Sequence, residues 1–449
     1  MGKLVELHDL AEDLFGPPEG GVGRPVAEDP SRLSPEPGRY LYQPLLSENQ
    51  IRLLLLKRLA PSSTQDSQPI CATLHHVEFD SESLNSRLYR ALSYEWEIRE
   101  QNQRYKGETK EEYEQRLHEK QAEAQPGATK MQSEEKPTIV LDGYTLTIGE
   151  NLYNALRSIR NLDIYGDETP SLWLWVDALC INQNDVQERG HQVRLMKRIY
   201  ETAEMVLVWL GTGDGWTHAA MEAMNMEPGA FEDHVSREAL GYSVLRGIRQ
   251  LCEMGYWRRV WILQEVVLAR NYVVICNQDF VSMDNFERAL GVLCQDVWNV
   301  SRDTRNCVLW LPESPANEII AWRKSKGKSS PLAGWVRICV RCYFKATEPR
   351  DYVYALLGIS DDCEGWIVPD YTLSVTEVYS LAIRLIFNEA GWYNESLGGT
   401  FAALMGLKWE TGRRVWEEMC IQKEGGKEPT METPGTFGLS LFSAADCKR

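Results

Sequence analysis

The chain has 449 residues, 43% hydrophobic and 25% charged, a balance that fits a globular protein with ample material for a core. Its formal net charge of −17 argues against binding nucleic acid or an anionic membrane, because both need a basic footprint. No apolar run approaches the roughly 18 residues of a membrane span, Met1–Glu6 has no signal-peptide character, and the 11 cysteines are an odd, scattered set that fits reduced thiols; together these predict a cytoplasmic protein. One count stands out: 15 tryptophans, a residue that buries a large area and places a single N–H donor.

Taken in chain order, residues 16–38 are rich in proline and glycine and have little to bury, so residues 1–39 read as a flexible lead-in. Ile51–Leu56 and Leu88–Tyr94 read as short buried strands. Ile98–Lys136 is dense in charge of both signs; with Thr109 and Glu112 at capping-box spacing, it reads as a solvated helix inserted in a long loop. Ile139–Leu141 and Tyr144–Leu146 flank Asp142-Gly143, a two-residue hairpin signal. Asn151–Leu162 is expected to be helical, and Leu172–Val176 to be the continuous apolar strand of a sheet covered on both faces. Asp185–Ala203 follows as an amphipathic helix opened by Asp185 and Glu188 at capping-box spacing, and Met205–Leu210 as a strand. Trp257–Ala269 then reads as a helix and Tyr272–Cys276 as a strand. This alternation predicts an α/β fold with a doubly wound, mostly parallel sheet. Farther on, Asp284–Val297, Pro315–Arg323, Leu332–Cys342 and Val375–Glu389 predict a mainly helical C-terminal extension, followed by a variable tail over 391–449.

In an open parallel sheet, ligands bind outside the carboxyl ends of the strands. Three such ends lead into Ser93-Tyr94-Glu95-Trp96, into Asp177-Ala178-Leu179-Cys180-Ile181-Asn182-Gln183, and into Gly211-Thr212-Gly213-Asp214. Side by side they would present carboxylates, an amide pair, a hydroxyl and an indole, which suits a nucleotide or another ribosylated ligand. Asp177 could equally cap a helix or brace its loop. On the helix predicted over Trp257–Ala269, Arg258, Trp261 and Glu265 share one face. A carboxylate beside an indole is partly desolvated and could orient ribose hydroxyls or stabilise an oxocarbenium-like state. The alternative is a surface pair between Arg258 and Glu265 with Trp261 in the core. No metal-ligand set appears, since Cys339-x-x-Cys342 lacks a second pair. There is no cofactor fingerprint of the Walker A type either.

At these blocks the chain resembles the heterokaryon incompatibility (HET) domain of filamentous fungi. Tyr89-Arg90-Ala91-Leu92-Ser93-Tyr94-Glu95-Trp96 is similar to its first motif, Leu174-Trp175-Val176-Asp177-Ala178-Leu179-Cys180-Ile181-Asn182-Gln183 to its second, and Tyr256-Trp257-Arg258-Arg259-Val260-Trp261-Ile262-Leu263-Gln264-Glu265 to its third. The first motif departs from the pattern at Glu97, where the family usually carries a glycine able to make a tight turn. The resemblance implies a HET domain over 40–278 with the charged insertion at 98–136, and an associated helical extension over 279–390. It implies a role in non-self recognition and programmed cell death, exerted through self-association or an unidentified signalling partner. It also implies a distant relation to the flavodoxin-like Toll/interleukin-receptor (TIR) domain, some members of which hydrolyse NAD. On that relation NAD is a substrate rather than a bound cofactor, Glu265 is the catalytic carboxylate, and Ser93, Trp96, Asp177, Asn182, Gln183 and Trp261 bind the substrate.

Overall fold

The computed structural model describes residues 40–59, 68–79, 88–96, 136–162, 170–236, 238–295, 308–324, 330–390 and 395–424. The lead-in over 1–39, Glu97 with the charged insertion through 135, and the tail beyond 424 lie outside the described residues.

Among the described residues a nine-stranded sheet forms the centre. Its strands are β1 (Gln50–Lys57), β2 (Cys71–Glu78), β3 (Arg90–Tyr94), β4 (Thr138–Leu141), β5 (Tyr144–Thr147), β6 (Ser171–Trp175), β7 (Met205–Trp209), β8 (Tyr272–Cys276) and β9 (Asp279–Ser282). They lie in the order β5-β4-β2-β1-β6-β3-β7-β8-β9. The block β6-β3-β7-β8 is parallel throughout, as is the pair β2–β4. The ladders β1–β2, β1–β6, β4–β5 and β8–β9 are antiparallel. The sheet is therefore mixed, which corrects the expectation of a mostly parallel one. Tight hairpins close both margins, and strands joined by two residues can only pair antiparallel. At one hairpin Asp142 and Gly143 take φ of 50° and 84°, the left-handed pair that such a turn demands. At the other Asn277 takes φ of 55°, a conformation asparagine tolerates better than most residues.

Strands β7 (Met-Val-Leu-Val-Trp) and β8 (Tyr-Val-Val-Ile-Cys) are buried at every position, because they have neighbours on both edges and cover on both faces. Strand β2 is fully buried only at Ala72 and Val77, with Thr73 and His75 exposed, and its Cys-Ala-Thr-Leu-His-His-Val-Glu sequence lacks the apolar run that marks β1.

The helices are α1 (Glu150–Ile159), α2 (Asp177–Cys180), α3 (Val186–Thr202), α4 (Gly215–Met224), α5 (Pro228–Ser236), α6 (Glu238–Glu253) and α7 (Ile262–Val267). Beyond the sheet come α8 (Met283–Gln295), α9 (Pro315–Lys324), α10 (Leu332–Arg341), α11 (Asp351–Leu357), α12 (Val375–Ala390), α13 (Glu395–Leu404) and α14 (Trp409–Glu424). The large aromatic side chains knit these layers: Trp175 meets Tyr200 edge to face at 5.6 Å, and Trp257 stacks on Phe286 at 5.8 Å. The region past residue 282 is helical as expected, but β9 carries the sheet itself past residue 278. Helices α13 and α14, within the stretch expected as a tail, pack on each other and against α10 and α12.

Helix α3 opens with Asp185, whose side chain accepts hydrogen bonds from the backbone N–H groups of Gln187 and Glu188. The expected reciprocal bond from Glu188 does not form. Glu188 turns instead to Arg52 of β1, 1% exposed, and the two make a two-pronged pair at 2.6 and 2.9 Å. Arg52 also donates to the carbonyls of Cys180 (3.0 Å) and Gln43 (2.7 Å) and lies over the Tyr42 ring. This brace fixes the start of α3 against the sheet.

Candidate functional site

The carboxyl ends of β3 and β6 open on a cavity of about 430 Å³. Its floor and near wall come from Glu95, Trp96, Asp177, Gln183, Arg259 and Glu265. Its far wall comes from Trp261 together with the segment carrying Lys345, Glu348, Asp351 and Tyr371. Helices α3 and α11 both pack against α7, which brings this far segment to the strand ends. The backbone reinforces the join: Val260 N–H donates to the Lys345 carbonyl at 3.0 Å, and Lys345 N–H to the Arg258 carbonyl at 2.5 Å. Gly358 at the end of α11 lies so close to Gln264 that a Cβ there would stand 2.8 Å from its amide.

Glu265 sits in the first turn of α7 and is 2% exposed. Its Oε2 accepts a hydrogen bond from the Ser93 hydroxyl, and Ser93 Oγ lies 2.6 Å from the Tyr256 hydroxyl. The Arg259 guanidinium stands 3.9 Å away but gives its hydrogen bond to the Tyr94 carbonyl. Burial pushes the Glu265 carboxyl up from 4.5 to about 7; Arg259 and the Ser93 hydroxyl hold it from rising further, and the nearby Asp177 adds to the rise. The group therefore exchanges its proton near neutrality, where a carboxyl can serve as acid, base or anion.

Asp177 is also raised by burial, against the opposing pull of Arg259 and its own hydrogen bonds. Those bonds come from Trp96 Nε1 at 2.9 Å and from the Ala178 N–H at 2.7 Å. Trp96 stays 44% exposed, leaving an indole face at the mouth. On the far wall Asp351 accepts from Trp261 Nε1 (2.9 Å) and the Tyr371 hydroxyl (2.7 Å). Burial lifts Asp351 to about 6 in spite of both bonds.

Of the residues picked out in the sequence, Glu265, Asp177, Trp96, Gln183 and Trp261 meet in this cavity. Ser93 is buried behind Glu265 and reaches the cavity only through it. Gln183 holds its loop by donating to the Asp177 carbonyl at 3.0 Å. Asn182 lies elsewhere, in a shallow hollow with Tyr40, Tyr42 and Asp185. The third strand end also lies elsewhere: Asp214 caps α4, accepting from the N–H groups of Trp216 and Thr217. The helix expected over Trp257–Ala269 is broken. A 3₁₀ turn covers Gly255–Arg258, Arg259 is extended, and α7 starts only at Ile262. As a result Arg259, not Arg258, faces Glu265, while Arg258 donates to the Cys342 carbonyl. Asn151 of α1 had no sequence signal. It donates to the Glu95 carbonyl and accepts from Trp209 Nε1 at 2.7 Å, tying the rim of the cavity to β7.

The fold and site define a class: an α/β domain whose mixed sheet presents a buried, incompletely neutralised carboxylate at its strand ends. Residues 89–265 match the heterokaryon incompatibility protein (HET) family, and the chain carries a HET domain over that stretch, from Tyr89 through Glu265. A span of 301 residues is 26% identical to heterokaryon incompatibility protein 6, OR allele, of Neurospora crassa, covering 54% of this chain and 43% of that protein. The chain thus spans less than half of that relative's length. No solved structure gives a significant match. Among the described residues, no helix is long and apolar enough to cross a membrane.

Proposed function

We propose that the chain acts in fungal heterokaryon incompatibility, as a cell-death effector whose cavity cleaves the nicotinamide–ribose bond of NAD. The observation that carries this reading is Glu265: a buried carboxylate with a value near 7, set at the strand ends beside an indole-lined opening. The parallel block β6-β3-β7-β8 also supports it, because its order repeats the 2-1-3-4 start of a flavodoxin-like sheet. That is the architecture of the TIR domain.

In this mechanism the bond between C1′ of the ribose and the nicotinamide nitrogen breaks. The electron pair leaves with nicotinamide, and positive charge develops over C1′ and the ring oxygen. Ionised Glu265 faces that charge and holds the ribose hydroxyls, stabilising the transition state more than the ground state. Water then adds at C1′ and gives up a proton, leaving ADP-ribose. Ser93 and Tyr256 hold the carboxylate's orientation, and Trp96 offers its exposed face to a ring of the substrate.

The test is nicotinamide release from NAD by the purified chain and by Glu265→Gln, together with cellular NAD and viability on expression in a fungal host. Loss of release and of toxicity together in the variant is the expected result. Toxicity that persists with NAD unchanged would leave signalling through self-association or a partner in its place.

A further inference from the structure

The charged groups around the cavity can be accounted for one by one, starting with Glu95 of the near wall, which has an interaction of its own. Glu265 is engaged by Ser93 and Arg259, Asp177 by Trp96 and the Ala178 N–H, and Asp351 by Trp261 and Tyr371. Glu348 takes Arg350 at 2.8 Å, and Arg259 spends its hydrogen bond on the Tyr94 carbonyl. Two cations remain. Among the described residues Arg189 has no hydrogen-bonded acceptor: its Nε is buried without a partner, and its guanidinium lies over the Tyr371 ring, 4.7 Å from the centroid. Glu348 and Asp351 are near enough to feel its charge, yet both are hydrogen-bonded elsewhere. Lys345 has its backbone pinned to Arg258 and Val260, while its ammonium has no partner among the described residues. Both residues line the same cavity as Glu265.

We infer that Arg189 and Lys345 form an anion subsite that takes the phosphate groups of a nucleotide whose ribose lies at Glu265. The inference rests on the nucleotide reading of the cavity. A guanidinium held over an aromatic ring keeps its planar fork free for phosphate oxygens, and a lysine on the same cavity's lining adds a compact point charge. A chain of net charge −17 repels an anionic ligand at long range, so local cations are what a phosphate-bearing ligand would need here. The Arg189 Nε is buried with its donor unused, so among the described residues no acceptor competes with a ligand for this guanidinium.

The test is calorimetric binding of ADP-ribose, AMP, adenosine and pyrophosphate to the full chain, at two salt concentrations. ADP-ribose and AMP should bind more tightly than adenosine by about tenfold or more, with the advantage shrinking as salt rises. Arg189→Met and Lys345→Met keep the aliphatic stems. Each should weaken ADP-ribose by about tenfold and leave adenosine unchanged, with Arg189→Lys recovering part of the loss. A thermal melt of each variant separates this loss from misfolding. Equal affinity for AMP and adenosine in the wild type overturns the subsite, as does unchanged ADP-ribose affinity in both Met variants. Phosphate-dependent binding without nicotinamide release would refute the hydrolase and keep the subsite. Release from NAD with KM unchanged in both variants would refute the subsite and keep the hydrolase.

Discussion

Two of the arginine–glutamate pairs in this molecule, Arg52–Glu188 and Arg259–Glu265, are built in opposite ways. Arg52 and Glu188 meet through two short bonds, and the remaining guanidinium donors reach the carbonyls of Cys180 and Gln43 and the ring of His76. Arg259 and Glu265 stand 3.9 Å apart, and the guanidinium bonds a backbone carbonyl instead. The first pair satisfies its donors and faces packed protein. The second leaves its carboxylate with one hydroxyl donor, in a cavity wall. A saturated ion pair has nothing left to offer a ligand and serves as a brace; an unsaturated one keeps part of its interaction for whatever enters.

This contrast can be broken most forcefully at the brace. Arg52→Met should destabilise the fold by about 3–5 kcal/mol, because Glu188 is then left buried without a counter-charge. Urea unfolding measures it, and a loss below about 1 kcal/mol would show that the pair is not a brace. Next comes Glu265→Gln, which should release the strain of a buried charge while abolishing nicotinamide release. The folded Glu265 is raised from 4.5 to about 7, so the stability linked to its proton is complete below 4.5 and lost as pH rises through 7. The variant should therefore gain on the wild type between pH 5 and 8, on the order of 3 kcal/mol. Parallel unfolding curves at both pH values would contradict the assignment. Ser93→Ala should have a smaller effect. Losing the hydroxyl donor raises Glu265 further, moves the pH–rate midpoint upward, and costs roughly tenfold in rate at pH 7. Smallest is Asp185→Ala, expected to cost about 1 kcal/mol through loss of the α3 cap. Because α3 carries both Glu188 and Arg189, this variant should also weaken ADP-ribose binding slightly, as calorimetry would read.

What the sequence displays is local. The apolar runs of β7 and β8, the Asp142-Gly143 turn and the Asp185 cap all announce themselves within a few residues. Glu265 and Asp177 were legible because strand ends collect ligands and because a carboxylate beside an indole is an unusual neighbour. Helical spacing points to Arg258 as the partner of Glu265, one position off, because the chain is extended at Arg259. Asp351 and Tyr371 belong to the far wall and reach the cavity only through packing of α11 on α7. No periodicity within the chain encodes that contact. The mixed sheet was hidden for a similar reason, as strand direction at β1 depends on partners distant in sequence.

The position of β1 has a consequence for how this protein can be cut and inherited. Leu55 pairs with Thr73 on one side and with Trp173 on the other, so a strand made early waits for β6, which is made far later. The stretch that matches the family begins at residue 89, after β1 and β2, and stops at 265, before β8 and before the far-wall segment that carries Lys345 and Tyr371. A polypeptide of residues 89–265 would carry β6 with one edge bare, an invitation to pair with other chains. Recombination that moved this stretch alone into another gene would transfer Glu265 with neither the arginine that anchors α3 nor the segment that roofs the cavity. Contacts from β1 at one end and from the segment through Tyr371 at the other thus tie both flanks to the matched stretch.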